Sequence, residues 1–197
     1  MAHAAASHDD HHYTATGLNS WKLGFWTFIG SECLFFATLI STYMVYKGAS
    51  LTGPYPHEIL DIPLTTISTF VLLMSSLAMV LALDGVQKGK KAGWFWLLMV
   101  ILLGATFLGF QVYEFNHFYH EGLTIQKNVF GSSFFVLTGF HGAHVTGGVL
   151  WLSILLFRGL RGKLPPEKSL QVEIAGLYWH FVDIVWIAIF TLVYLIQ

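Results

Sequence analysis

Apolar residues in this chain do not alternate with polar ones. They run on in five long blocks, near Leu23–Tyr46, Leu64–Leu83, Gly93–Tyr113, Val129–Phe157 and Val172–Ile196. Each block is long enough to cross ~30 Å of hydrocarbon as a helix. The pattern predicts an all-α protein, an integral membrane bundle of five transmembrane helices over residues 22–197, preceded by a polar tail, 1–21. Groups that lipid should expel sit near the middle of three blocks: Glu32, the pair His141 and His144, and His180 with Asp183. A charged side chain at the bilayer centre costs at least ~2.5–3.5 kcal/mol, so each of these is expected to face protein or a water-filled cavity.

Helical spacing then sorts the polar residues by face. Glu173, Gly176, His180 and Asp183 follow 3-4-3 spacing and share one side of span five. At 1.5 Å per residue, Asp183 lies ~15 Å beyond Glu173. A polar stripe is expected from the membrane surface to the midplane, serving either as interhelical hydrogen-bonding glue or as a proton path. In span four, Gly139, Ala143 and Gly147 repeat a small-xxx-small pattern that predicts close approach of a neighbouring helix. His141 and His144 lie on the other side, at a depth overlapping that of His180 and Asp183, so a histidine of span four is expected to bond Asp183 or His180. Glu32 is likewise at mid-depth, beside a stripe of Gly24, Thr27, Ser31, Thr38 and Thr42. With no Lys or Arg near the centre of any span, Glu32 is expected as a protonatable carboxyl without a counter-ion, suited to a proton relay or a polar anchor. Span three ends in Gln111, Glu114, His117 and His120.

Composition supports the membrane reading. The chain is 55% hydrophobic and only 11% charged, against about 25% charged in soluble domains. Its net charge of -1 argues against a nucleic-acid surface. The tail, with His3, His8, His11 and His12, lacks the basic start and apolar core of a signal peptide. Of the ten basic residues, eight cluster with one set of span ends, Lys22, Lys88, Lys90, Lys91, Arg158, Arg161, Lys163 and Lys168, against Lys47 and Lys127 on the other. The positive-inside rule therefore predicts a cytoplasmic N-terminus and an outside C-terminus.

The redox and hydrolytic chemistries can be weighed directly. Cys33 is the single cysteine, so a two-cysteine copper centre, thiolate zinc and attached c-type haem are excluded. Glu114-x-x-His117 is half of a di-iron carboxylate signature, which needs two copies and two more glutamates. A haem between His144 and His180 would have to clear Tyr178, Trp179 and Phe181. A hydrolase would need a nucleophile elbow that is missing here.

Five segments, in order along the chain, carry a resemblance: Gly24-Phe-Trp-Thr-Phe-Ile-Gly-Ser-Glu-Cys-Leu-Phe-Phe36, Leu102-Leu-Gly-Ala-Thr-Phe107 with Gln111 and Glu114, Phe130-Gly-Ser-Ser-Phe-Phe135, Thr138-Gly-Phe-His-Gly-Ala-His-Val145 and Tyr178-Trp-His-Phe-Val-Asp-Ile-Val-Trp186. Together they resemble subunit III of the haem-copper oxidases, the cytochrome c oxidase family, in its short five-helix bacterial form. The resemblance implies a subunit with no catalytic residue, metal or cofactor of its own. Its expected partners are the catalytic subunit I, which with the electron-entry subunit II holds the haems and copper, and bound phospholipid. Cytochrome c would be met only through the complex. Glu32 occupies the place of the family's buried, carbodiimide-reactive carboxyl. The expected role is to stabilise subunit I, hold lipid and sustain proton uptake, in a bacterial cytoplasmic (inner) membrane. Glu114, His141, His144, Glu173, His180 and Asp183 would complete a buried polar network. The rival readings are subunit III of a quinol oxidase, a haem-binding membrane anchor and an independent proton channel.

Overall fold

The computed structural model describes residues 19–47, 62–126 and 129–196. The histidines of the expected tail, Lys127 and most of the Lys47–Pro63 loop lie outside the described residues. Five helices form: α1 (Ser20–Tyr46), α2 (Ile62–Gln87), α3 (Lys91–His120), α4 (Val129–Leu160) and α5 (Leu170–Ile189), the last continuing as a π-helical segment, Phe190–Leu195. All five, with the last taken as Leu170–Leu195, are long and apolar enough to span a membrane. Observed helices overrun the expected spans at several ends. The largest extension carries α3 from Tyr113 to His120, because a helix continues past the hydrocarbon edge wherever its backbone bonds remain intact.

Local sequence explains several boundaries. The Asn19 side chain accepts hydrogen bonds from the Trp21 and Lys22 backbone N–H groups at 3.0 and 3.4 Å, capping α1. Pro63 falls in the first turn of α2, where its missing N–H costs nothing. Helix α2 ends where Gly89 adopts φ 65°, letting the Lys90 N–H reach back to the Gly85 carbonyl at 2.8 Å.

Helix α5 is the hub and packs on α1, α2 and α4, while α3 fills the space between α2 and α4. Its central place shows in its burial, which includes Tyr178, Trp179, Asp183 and Trp186. Helix α1 sits at the margin against α4 and α5, and buries only Ile29, Phe36 and Tyr43, a seven-residue repeat that makes one narrow seam.

Glycine sets the spacing of the helices. A Cβ on Gly85 would lie 2.5 Å from the Gly93 Cα, so α2 and α3 meet backbone to backbone. Trp179 of α5 lies in a notch cut by two glycines, 2.6 Å from a Cβ on Gly104 and 2.9 Å from one on Gly148. The expected small-residue contact of Gly139, Ala143 and Gly147 is not the one used. Nothing lies within 4 Å of a Cβ on Gly139, and Gly147 meets only the Tyr178 hydroxyl at 3.8 Å. The tight approach belongs to Gly142 and Gly148, on the neighbouring strip of the same helix. Sequence spacing finds small residues, but both strips are small, and only the neighbours' positions select one.

Candidate functional site: a polar network among the helices

The successive helices run antiparallel, so the ends of α1, α3 and α5 that begin each upward pass share one side with the basic connections. On that side Lys22 of α1 pairs with Glu173 of α5 at 2.6 Å. Both side chains are partly exposed, at 40% and 29%. Glu173 therefore belongs to a surface ion pair. The expected stripe does not continue unbroken from it, because the Met79 methyl covers Gly176, 3.1 Å from where a Cβ would stand.

Deeper along α5 the polar residues turn to α2. The Ser76 hydroxyl and His180 Nδ1 are 2.6 Å apart, while Asp183, three residues on, is buried and its Oδ1 has no hydrogen-bond partner. The indole N–H of Trp179 donates to Ser75 Oγ at 3.0 Å, and that of Trp186 to Thr69 Oγ1 at 2.9 Å. These two hydroxyls donate in turn to carbonyls of their own helix, Leu72 and Thr65. Each hydroxyl thus accepts from a buried indole while donating to its own helix, and three side-chain bonds stitch α2 to α5.

Histidines of span four bond neither Asp183 nor His180, contrary to the expectation from depth alone. His144 Nε2 lies 3.2 Å from Glu32 Oε2, and its Nδ1 lies 2.8 Å from the Phe140 carbonyl. This arrangement fixes the ring: Nδ1–H donates to the carbonyl, leaving Nε2 for the carboxyl. In the neutral tautomer Nε2 has only a lone pair, so a 3.2 Å hydrogen bond to Glu32 requires a proton on one of the two groups. Glu32 accordingly has a partner after all, an imidazole on the facing helix rather than a Lys or Arg. The pair is about one-fifth exposed, 20% for Glu32 and 19% for His144, and is flanked by Phe35 and Phe36. Tyr178 ties the same turn of α4 to α5 by donating to the His144 carbonyl at 3.0 Å.

His141 faces the other way although it is only three residues from His144. It is fully buried, stacked on Trp186 with ring centres 4.8 Å apart and edge-on to Phe107 at 5.8 Å. Neither of its ring nitrogens has a partner. Three residues turn a helix by 300°, and the remaining 60° is enough to place the two rings in different interfaces.

Towards the opposite end of the bundle, Glu114 is buried. It accepts from Thr65 Oγ1 at 2.7 Å and from the Tyr194 hydroxyl at 3.2 Å. The π-helical turn places Tyr194 on this carboxyl, joining α2, α3 and α5. Gln111, one turn away, donates to the Thr138 carbonyl of α4 at 2.7 Å. Glu114 and His117 do not form part of a metal-ligand group, and among the described residues no cluster of three His, Cys, Asp or Glu could hold a metal ion.

Sequence inspection overlooked α2. Thr65, Ser68, Thr69, Leu72, Ser75 and Met79 recur at helical spacing and are all buried. A hydroxyl-rich face in an otherwise apolar span was the available signal, since lipid-facing positions have no use for such groups.

Five apolar helices held together by buried polar bonds define a polytopic helical membrane protein. The family model of cytochrome c oxidase subunit III matches residues 2–197. Among curated relatives, the quinol oxidase subunit 3 of Bacillus subtilis is 42% identical over 174 residues, covering 88% of this chain and 85% of the relative. The cytochrome c oxidase subunit 3 of the same organism is 42% identical over 186 residues, covering 92% and 88%. The cytochrome bo(3) ubiquinol oxidase subunit 3 of Pseudomonas putida is 39% identical over 175 residues, covering 88% and 84%. The chain belongs to the cytochrome c oxidase subunit III family. It is a multi-pass bacterial membrane protein and a subunit III of a haem-copper oxidase, an oxidoreductase complex whose catalysis lies in other subunits.

Proposed function

We propose that this subunit serves a proton-pumping oxidase that takes electrons from cytochrome c, with subunits I and II holding the haems and copper beside it. The observation that carries a supporting role is the Glu32–His144 contact: a mid-span carboxyl is held by the chain's own imidazole, in a structure where Ser75, Thr69, Gln111 and Glu114 also bond helix to helix. The cytochrome c reading draws support from relatives in Bacillus subtilis and Bacillus sp. (strain PS3) that bear that name, at 42% and 40% identity. A quinol donor is favoured by the equally similar quinol oxidase subunit. The two readings part at subunit II, because electron entry from cytochrome c calls for a two-cysteine copper centre there.

Phospholipid is a second expected partner. A groove of about 570 Å³ lies between α1 and the ends of α4 and α5, lined by Trp21, Phe28, Trp151 and Ile154, with Arg158 at its rim. Arg158 also donates to Gln171 at 3.0 Å, which holds its guanidinium in place. Apolar walls with a cation at the basic end fit an acyl chain below an anionic headgroup. With the eight basic residues at that end facing the cytoplasm, residues 1–21 form a cytoplasmic tail and 22–197 the membrane domain. Within that domain Glu32, Glu114, His141, His144, Glu173, His180 and Asp183 act as structure, and the mid-span groups as a local proton reservoir supporting proton uptake by subunit I.

The test is gentle purification in detergent through a tag on this chain, with the visible spectrum and partner masses read together. Subunits I and II with their haem and copper signals, and no haem on this chain after dissociation, are the expected result. Haem or metal retained by the separated chain would refute the reading. A subunit II lacking the paired cysteines would transfer it to the quinol class.

A further inference from the structure

Among the described residues, α-helical winding gives way to a π turn at one place, the C-terminal end of α5. From Phe190 to Leu195 the backbone is π-helical, and the Ile196 N–H reaches the Thr191 carbonyl, five residues back, at 3.1 Å. An α-helix turns 100° per residue, so an α continuation would carry Tyr194 ~80° around the axis from Trp186, eight residues earlier. The wider turn holds it back on the Trp186 side, where the two ring centres are 6.3 Å apart and Tyr194 stacks on Phe190 at 5.9 Å. There Tyr194 is buried, its hydroxyl donates to Glu114 Oε2 at 3.2 Å, and Thr65 donates to Oε1 at 2.7 Å. Just past the π turn, the Ile196 carbonyl accepts from the Lys47 ammonium of α1. One irregular turn of α5 thus carries bonds to both α3 and α1.

We propose that this end of α5 is a two-register latch. The Tyr194–Glu114 bond selects the π form, and its loss lets the segment wind on as an α-helix and withdraw the Ile196 carbonyl from Lys47. A π turn replaces i→i+4 bonds by i→i+5 bonds and is rare, so a contact outside the helix has to favour it. The buried carboxyl supplies that contact, because a phenol turned away from it leaves a buried acceptor short of one donor. Unwinding the π turn advances the backbone beyond it by one residue, ~100° of rotation, which takes the Ile196 carbonyl off its line to Lys47. Both registers keep the backbone bonded within the helix, so they differ by a few side-chain contacts, the condition for two states that one contact can bias. Glu114 of α3 is then a positioning residue for the end of α1, acting through the phenol and the carbonyl of α5.

The test is made on the intact oxidase, by cryo-electron microscopy of α5 and by amine labelling of Lys47 read from peptide masses. In the native complex the π turn is present and Lys47 reacts slowly. In Tyr194→Phe, which keeps the ring and removes only the hydroxyl, i→i+4 bonds run through Leu195 and the ring at position 194 turns away from Trp186. Lys47 then reacts about tenfold faster or more, the factor for losing one hydrogen bond to a charged group. Glu114→Ala gives the same two changes, whereas Glu114→Gln, which keeps an acceptor for the phenol, retains the π turn and the native rate. A π turn retained in Tyr194→Phe would overturn the latch, and so would equal labelling of Lys47 in the native and Tyr194→Phe complexes. The Tyr194→Phe variant decides the matter by itself should Glu114→Ala fail to assemble. The electron donor of the complex does not enter either measurement.

Discussion

Replacing Gly93 by alanine tests the backbone contact between α2 and α3. The new methyl carbon would stand 2.5 Å from the Val86 nitrogen and 2.7 Å from the Gly85 carbonyl carbon. Both are main-chain atoms of α2 and cannot rotate aside, so the helices must part by about 0.9 Å to regain the 3.4 Å of ordinary contact. A gap of about 0.5–1 Å already forfeits a quarter to a half of each dispersion well along an interface. Overpacking of this kind costs about 1–3 kcal/mol, partly offset by the gain of ~1 kcal/mol in helix propensity when glycine becomes alanine. Gly109, on the same helix, has nothing within 4 Å of its Cβ position, so Gly109→Ala receives the propensity gain alone. The difference between the two variants therefore isolates the contact and should be about 1–3 kcal/mol. Unfolding by SDS from mixed micelles, followed by tryptophan fluorescence, reads it. Trp94 is a local probe, since its ring covers Gly159. Equal stability of Gly93→Ala and Gly109→Ala would refute the backbone-to-backbone packing of α2 on α3.

His144→Ala leaves Glu32 at mid-depth without its imidazole, and the loss of a hydrogen bond to a charged group should cost about 1.5–3 kcal/mol; the subunit is expected to wash off the complex in detergent while Glu32→Gln, which keeps a hydrogen-bonding group, is retained. Equal retention of the two variants would show that the pairing is not what holds α1 to α4. Glu32→Ala is expected to yield a folded subunit that assembles less firmly and shortens turnover lifetime, and complete loss of oxygen uptake with every subunit still present would contradict a supporting role. Lys22→Ala should lower stability by no more than about 1 kcal/mol, because the pair with Glu173 is partly exposed and screened by salt. A larger loss, undiminished in concentrated salt, would mean that the pair is buried against a partner.

The run of apolar residues by itself determined that five helices exist, where each lies to within a few residues, and that Glu32, His141, His144, His180 and Asp183 sit deep in them. That much follows from backbone hydrogen bonding in lipid and from a fixed rise per residue, both local properties. Which side chain meets which was settled by the tertiary structure. Depth placed the span-four histidines level with Asp183 and His180, yet His144 turns to Glu32 of α1 and His141 stacks on Trp186 of α5. Depth along a helix is one coordinate, whereas a hydrogen bond also needs the azimuth of both helices and their order around the bundle. The same missing coordinate hid the role of Ser75, Ser76 and Thr69, and made the strip of Gly139, Ala143 and Gly147 look like the contact that Gly142 and Gly148 in fact provide. The placement of α5 at the centre of the bundle supplied it, because bulky Trp179 fits only where Gly104 and Gly148 leave room, and that fit sets the rotation of every polar residue α5 carries.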